Sequence, residues 1–239
     1  MEKTELYSND SLKIIRSSEN KYIYRIEFAY PSPILIHSLI KTKLLRGATC
    51  TDDYKLLTFK AYSVQMYDKS TKKNIYSVGN MVATLAAQLK YMYDTYSVTF
   101  VGFNTEKIIV IDDTKFLFLD GDLIKEIDED TNTIMISEPF NRGEFFFSPE
   151  MENITNNQLP VYIHYKTSYF SLGCLLFYAL LTEELATTFY KDYLSEERID
   201  DIVNKYLNTH TTSFKETKLY WLICRCLVEE PEKRSIVFI

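Results

Sequence analysis

The sequence predicts an α+β protein in two parts: a small β-rich part with one helix over residues 1–77, and a mainly helical part over 78–239. Two observations lead there. Before Tyr67 the chain is built of short runs rich in Ile, Leu and Tyr, bounded by polar turns, which is the pattern of strands. From Val78 onward the apolar residues recur mostly at helical spacing. The change falls near residues 68 to 78, with no internal repeat or low-complexity tract on either side. With 46% hydrophobic and 25% charged residues, 239 residues are enough to bury a sizeable core.

The first strands are Leu12–Arg16 and Tyr22–Phe28, joined by the polar turn Ser17-Ser18-Glu19-Asn20. Ser32-Pro33 then reads as an N-cap followed by proline in the first helical turn. Apolar residues at 35, 36, 39, 40 and 44 continue that helix until Gly47 stops it. A further strand pair is expected over Leu56–Phe59 and Tyr62–Tyr67. A helix over Val78–Tyr96 places Val82, Leu85, Ala86, Leu89 and Met92 on one face. Ile108–Ile111 and Phe116–Leu119 form a hairpin around Asp112-Asp113. Residues 121–149 are mixed and acidic, with Glu126, Asp128, Glu129 and Asp130 close together, and read as a long surface segment. Helices follow at about 167–182, 195–207 and 214–228.

Composition excludes several classes. A net charge of -6 argues against a nucleic-acid binder that works by neutralising phosphates. No run approaches the roughly 18 apolar residues that span a bilayer, and Met1-Glu2-Lys3-Thr4-Glu5 is too polar for a signal peptide. Four cysteines in a chain this long make no disulfide framework, and the three histidines (His37, His164, His210) are scattered. The expected setting is reducing and cytoplasmic, without membrane contact. The 19 tyrosines fit half-buried strands, but an AT-rich genome accounts for that bias as readily. Six glycines leave little material for phosphate-cradling loops.

Three motifs stand in order near the end of the chain: Ser148-Pro149-Glu150, then Ser168-Tyr169-Phe170-Ser171-Leu172-Gly173, then Cys226-Leu227 with Pro231-Glu232-Lys233-Arg234. Together they resemble the C-terminal lobe of a eukaryotic-type protein kinase, over roughly residues 80 to 239. The resemblance implies a bilobal fold with a small β-rich N-lobe. It also implies that Glu150, in place of the Ala-Pro-Glu glutamate, pairs with a buried Arg234 as a structural contact. Ser168 stands where that family has aspartate at the start of a core helix. Only five residues follow Arg234, where the family continues into another helix, so the resemblance is to a cut-down form such as large DNA viruses carry.

The same resemblance implies that the chemistry is missing. Phosphoryl transfer needs positioned metal ions, a phosphate clamp and a residue orienting the hydroxyl. The family's His-Arg-Asp, with asparagine five residues after the aspartate, aligns without gaps on Phe100-Val101-Gly102 and Lys107. Gly102 is no base, and Lys107 replaces a metal ligand with a positive charge. The metal-binding Asp-Phe-Gly falls on Asp120-Gly121-Asp122, so Asp120 is the one catalytic-type residue kept; Leu-Asp-Gly-Asp-Leu is equally a tight turn. No Gly-x-Gly-x-x-Gly is present, and Lys13 or Lys21, with Glu27 as partner, are the candidates for the nucleotide lysine.

The expected function is a pseudokinase that binds or regulates another protein, a true kinase or its substrate, without need of ATP or Mg²⁺. Two alternatives stand beside it. One is a divergent active Ser/Thr kinase that uses Asp120 for Mg-ATP, with Asp112 or Asp122 as base. The other is an unrelated α+β interaction protein, in which Glu150 and Arg234 do not meet. Thr131, Thr133 and Ser137 lie where an activation loop is phosphorylated, but phosphate there is repelled by Glu126, Asp128 and Asp130.

Overall fold

The computed structural model describes residues 4–140, 146–181, 201, 205–206 and 217–236. It is α+β, and every strand pairing in it is antiparallel. In chain order the first elements are β1 (Thr4–Ser8), β2 (Leu12–Arg16), β3 (Ile23–Phe28), α1 (Pro33–Lys41), β4 (Arg46–Cys50), β5 (Leu56–Lys60) and β6 (Val64–Met66). Next come α2 (Ile75–Tyr96), β7 (Val98–Phe100), β8 (Ile108–Ile111), β9 (Lys115–Phe118), β10 (Ile124–Asp128) and β11 (Thr133–Ile136). The last are α3 (Pro149–Glu152), β12 (Val161–His164), α4 (Thr167–Leu180) and α5 (Lys218–Cys226). Among the described residues no helix is long and apolar enough to cross a membrane.

The chain divides into two compact units. The first comprises Met1–Tyr67, Thr84–Tyr96 and Glu106–Asp122; the second comprises Asp68–Ala83, Ser97–Thr105 and Leu123–Ile239.

In the first unit, five strands form a sheet in the order β1-β2-β3-β5-β4. Register stacks Ile14 beside Ile26 and Ile26 beside Leu57, with Tyr24 beside Phe59, so one face is apolar and buried. Leu35, Ile36 and Leu39 of α1 are buried as well. Two strands of this sheet, β1 and β4, lay outside the sequence expectation. α1 also ends earlier than expected. Lys43 takes a left-handed φ of 58° two residues after Lys41, and Gly47, expected as the helix stop, instead has φ 58° inside β4.

A smaller sheet, β6-β8-β9, belongs to the same unit. The expected pairing of strands around 56–59 and 62–67 is corrected here: β5 pairs with β3 and β4, whereas β6 pairs with β8. The 108–119 hairpin forms as expected, with Asp112 and Asp113 both at positive φ. Its outer strand, β9, leaves backbone groups that α2 satisfies. Gln88, fully buried, accepts from Phe118 N–H (3.0 Å) and donates to Phe118 O (3.2 Å), while Thr84 Oγ1 accepts from Phe116 N–H (3.1 Å). Two polar residues on the apolar face of a helix thus close the edge of a sheet.

The second unit holds a four-stranded sheet in the order β12-β11-β10-β7. This overturns the expectation of a long surface segment over 121–149. Ile127, Ile134 and Ile136 alternate inward, joining Val101, Phe147, Met151, Ile154, Ile163 and Tyr165 in one core, while Glu126 and Asp128 face solvent. The acidic stretch is therefore the outer face and turn of a hairpin; at the turn Asp128 Oδ1 accepts from Asp130 N–H (3.0 Å) and Thr131 N–H (3.2 Å).

α4, apolar nearly all round, is buried along almost its whole length. It meets α5 at Gly173, where an added Cβ would lie 2.7 Å from Cys226 Cβ. Burial pushes the thiols of Cys174 and Cys226 up, the latter to about 12, so both pack as small hydrophobes. The helix expected at 195–207 lies, apart from 201 and 205–206, outside the described residues.

Candidate functional site

Arg234 is fully buried, and its guanidinium forks onto Glu150: Nη1 to Oε1 at 2.5 Å and Nη2 to Oε2 at 2.8 Å. The remaining N–H groups go to backbone carbonyls. Nε donates to Val228 O (2.8 Å), Nη2 to Glu229 O (2.7 Å) and Nη1 to Lys166 O (3.4 Å), while the cation lies 4.9 Å from the Phe170 ring centroid. Each N–H of the fork has a partner, which is what a buried cation requires. The elements that deliver the pair are α3, with Pro149 opening it and Glu150 next, and the turn after α5. This is the contact that the reading as an unrelated α+β protein expected to be absent.

The segment aligned with a catalytic loop is closed to solvent: Phe100, Val101, Gly102, Phe103 and Asn104 are all buried. Ser171 of α4 holds it from behind, Oγ accepting from Phe103 N–H at 2.8 Å. A Cβ on Gly102 would stand 3.1 Å from that same Oγ and 3.5 Å from Phe146 O. A side chain at this position would thus press on the Ser171 hydroxyl of the neighbouring helix. Ser168, where the family has aspartate, is buried too; its Oγ accepts from Thr99 Oγ1 (3.0 Å) and donates to Tyr165 O (3.1 Å). Ser171 is a site residue that motif matching quoted without assigning a role; only the hydroxyl's position beneath the loop reveals it.

Lys107, in the first unit, is half-buried at the end of a single turn of helix, and its carbonyl accepts from Leu119 N–H at 2.9 Å. Asp120 is buried, and its Oδ1 accepts from Asp122 N–H at 3.2 Å, which is turn geometry. Asp112, one proposed base, has Oδ1 committed to the backbone N–H groups of Tyr62 (2.6 Å) and Ser63 (3.1 Å). Among the described residues no group of three His, Cys, Asp or Glu is placed to hold a metal ion.

Lys13 stands half-exposed on β2, its Nζ 2.6 Å from Glu5 Oε2. The hydrogen bond and charge of Glu5, with a smaller contribution from Glu27, raise the pKa of Lys13 above its ordinary value. Glu27 is its register neighbour on β3, but the close contact is with the unexpected strand β1. That strand also moves the first turn of the sheet to Asn9-Asp10-Ser11, upstream of the turn at 17–20. No glycine lies in it, and Asn9 Oδ1 accepts from the N–H groups of Ser11 (2.9 Å) and Leu12 (2.8 Å). Amides bonded within their own turn are not offered to a phosphate.

No protein-family model matches the chain, and no curated protein matches it.

Proposed function

We propose that this chain is a bilobal kinase-like scaffold from which phosphoryl-transfer chemistry has been lost, acting as a binding or regulatory module for another protein. The observation that carries the proposal is the burial of residues 100–104, with Gly102 packed against Ser171. A residue that orients a substrate hydroxyl must reach it within hydrogen-bond distance. A buried glycine does not. Support also comes from the bidentate contact of Glu150 with Arg234, the pair that the motif order implied. The first elements also follow the order that the resemblance implied, a five-stranded sheet with one helix, then a long helix and a hairpin, although the strands β10, β11 and β12 come before the last helices.

Loss of the base, the metal asparagine and the phosphate loop together removes most of the electrostatic stabilisation on which transfer depends. The partner class that follows is a protein, a kinase or a kinase substrate. The test is a transfer assay with labelled ATP, Mg²⁺ or Mn²⁺, and a general acceptor protein. The proposal expects no transfer from the native chain and none restored by Gly102→Asp, which also unfolds more readily. Metal-dependent transfer that disappears in Asp120→Ala would overturn it in favour of a divergent kinase.

A further inference from the structure

One end of the five-stranded sheet carries cations without an ion pair among the described residues, beside two exposed rings. Arg46 on β4 and Lys60 on β5 are direct register partners, so two like charges face each other across neighbouring strands. That arrangement is unfavourable unless an anion joins them. Among the described residues no ion pair reaches Arg46, Lys60 or Lys21. Two rings complete the patch. Tyr62 is 68% exposed and Tyr22 is 43% exposed, packed edge to face with centroids 5.6 Å apart. The Arg46 guanidinium lies 5.7 Å from the Tyr62 centroid, and Lys21 Nζ lies 5.1 Å from that of Tyr22. The nearby carboxylate of Asp112 accepts through Oδ1 from the Tyr62 and Ser63 amides.

The backbone is shaped around the same point. The register advances by three residues from Arg46 to Thr49 on β4 but by two from Lys60 to Thr58 on β5, which makes a bulge with Gly47 at φ 58°. Bulges re-aim the side chains beside them, and here the neighbour is Arg46. β4 is also an edge strand, with Arg46, Gly47 and Thr49 exposed.

We propose that this edge is the docking face for an acidic, extended segment of the partner protein. The segment adds beside β4 through main-chain hydrogen bonds, and its carboxylates fall on Arg46 and Lys60 and on the hydroxyls of Tyr22 and Tyr62. Arginine and tyrosine are the residue types that concentrate binding energy at protein interfaces. A nucleic acid fits less well, because Arg46 and Lys21 already lie over the rings where bases would stack.

The inference rests on the protein-binding reading and names the surface it would use. The test is fluorescence anisotropy on the full chain with three probes: a labelled peptide of alternating glutamate and valine, its lysine–valine counterpart, and an oligothymidylate. The expected result is salt-dependent binding of the acidic peptide alone. Arg46→Glu with Lys60→Glu should weaken it at least tenfold and transfer preference to the lysine peptide, with an unchanged circular dichroism spectrum and melting temperature. Tyr62→Ala should weaken it several-fold. Absence of acidic-peptide binding at low salt, or equal binding by the charge-reversed variant, would overturn the proposal. Tighter, reversal-sensitive binding of the oligothymidylate would assign the face to nucleic acid and overturn it as well. Failure here leaves the lost-chemistry reading standing, since that reading is judged by nucleotide binding and transfer.

Discussion

Arg234 is the residue on which the C-terminal motifs converge, and its partners set the consequence of losing it. Removing the guanidinium strands the Glu150 carboxylate and frees three backbone carbonyls at once. Breaking a buried pair from one side costs about 3–5 kcal/mol. Arg234→Ala is expected to lower the urea-unfolding free energy by that order, and a loss below about 1 kcal/mol would show that the pair carries little of the fold. His164 supplies a second residue-scale test. Burial, chiefly, holds its pKa below the usual 6.5, with Lys166 and Arg234 adding to the shift and Glu232 and Glu150 opposing it. Its Nδ1 accepts from Lys166 N–H at 3.2 Å, which only the neutral ring can do. A histidine with a depressed folded pKa contributes stability above its unfolded value, and that contribution is lost as the pH falls through the folded pKa. Melting temperature should therefore fall as pH drops from about 6.5 towards 5, less steeply in His164→Gln. Parallel curves for the two proteins would remove His164 from the account. The pairing of Glu150 with Arg234 was legible only through the resemblance of their motifs to a kinase lobe; Ser171 was not, because a serine in a helix announces nothing about the amide it will meet.

Elements were legible where one period dominated. β2, β3, β5, the 108–119 hairpin and α2 stand where alternation or helical spacing placed them. The hairpin of β10 and β11 was missed because its outward charges hid an inward alternation of Ile127, Ile134 and Ile136 that becomes decisive only once Ile163 and Phe147 cover it. β1 and β4 were missed for a related reason: they are edge strands with few buried residues, so their apolar signal is thin. The packing of α4 on α5 carries the element-scale prediction. A methyl at Gly173 meets the Cβ of Cys226, a backbone-attached atom that cannot swing aside. Gly173→Ala should cost about 1–3 kcal/mol of stability despite the better helix propensity of alanine, as read by chemical denaturation. Cys226→Ala should not rescue it, because the offending carbon remains. A stability equal to that of the native chain would mean the helices separate freely.

For the whole molecule, the reading proposed above is that a kinase-like fold has been kept while the positions aligned with phosphoryl-transfer residues are absorbed into the packing. Gly102 is enclosed by Ser171, Asp120 is engaged in a turn, and the first turn of the sheet closes on Asn9. The residue types at the positions aligned with kinase motifs were legible in the sequence; the packing around those positions was not, since it depends on distant segments meeting. The most direct measurement is a thermal-shift titration with ATP and ADP, with and without Mg²⁺ or Mn²⁺. A ligand at 100 times its dissociation constant stabilises a fold by about 2.7 kcal/mol, a readily visible shift. The account predicts no shift with any nucleotide or metal. A metal-dependent shift that Asp120→Ala abolishes would contradict it.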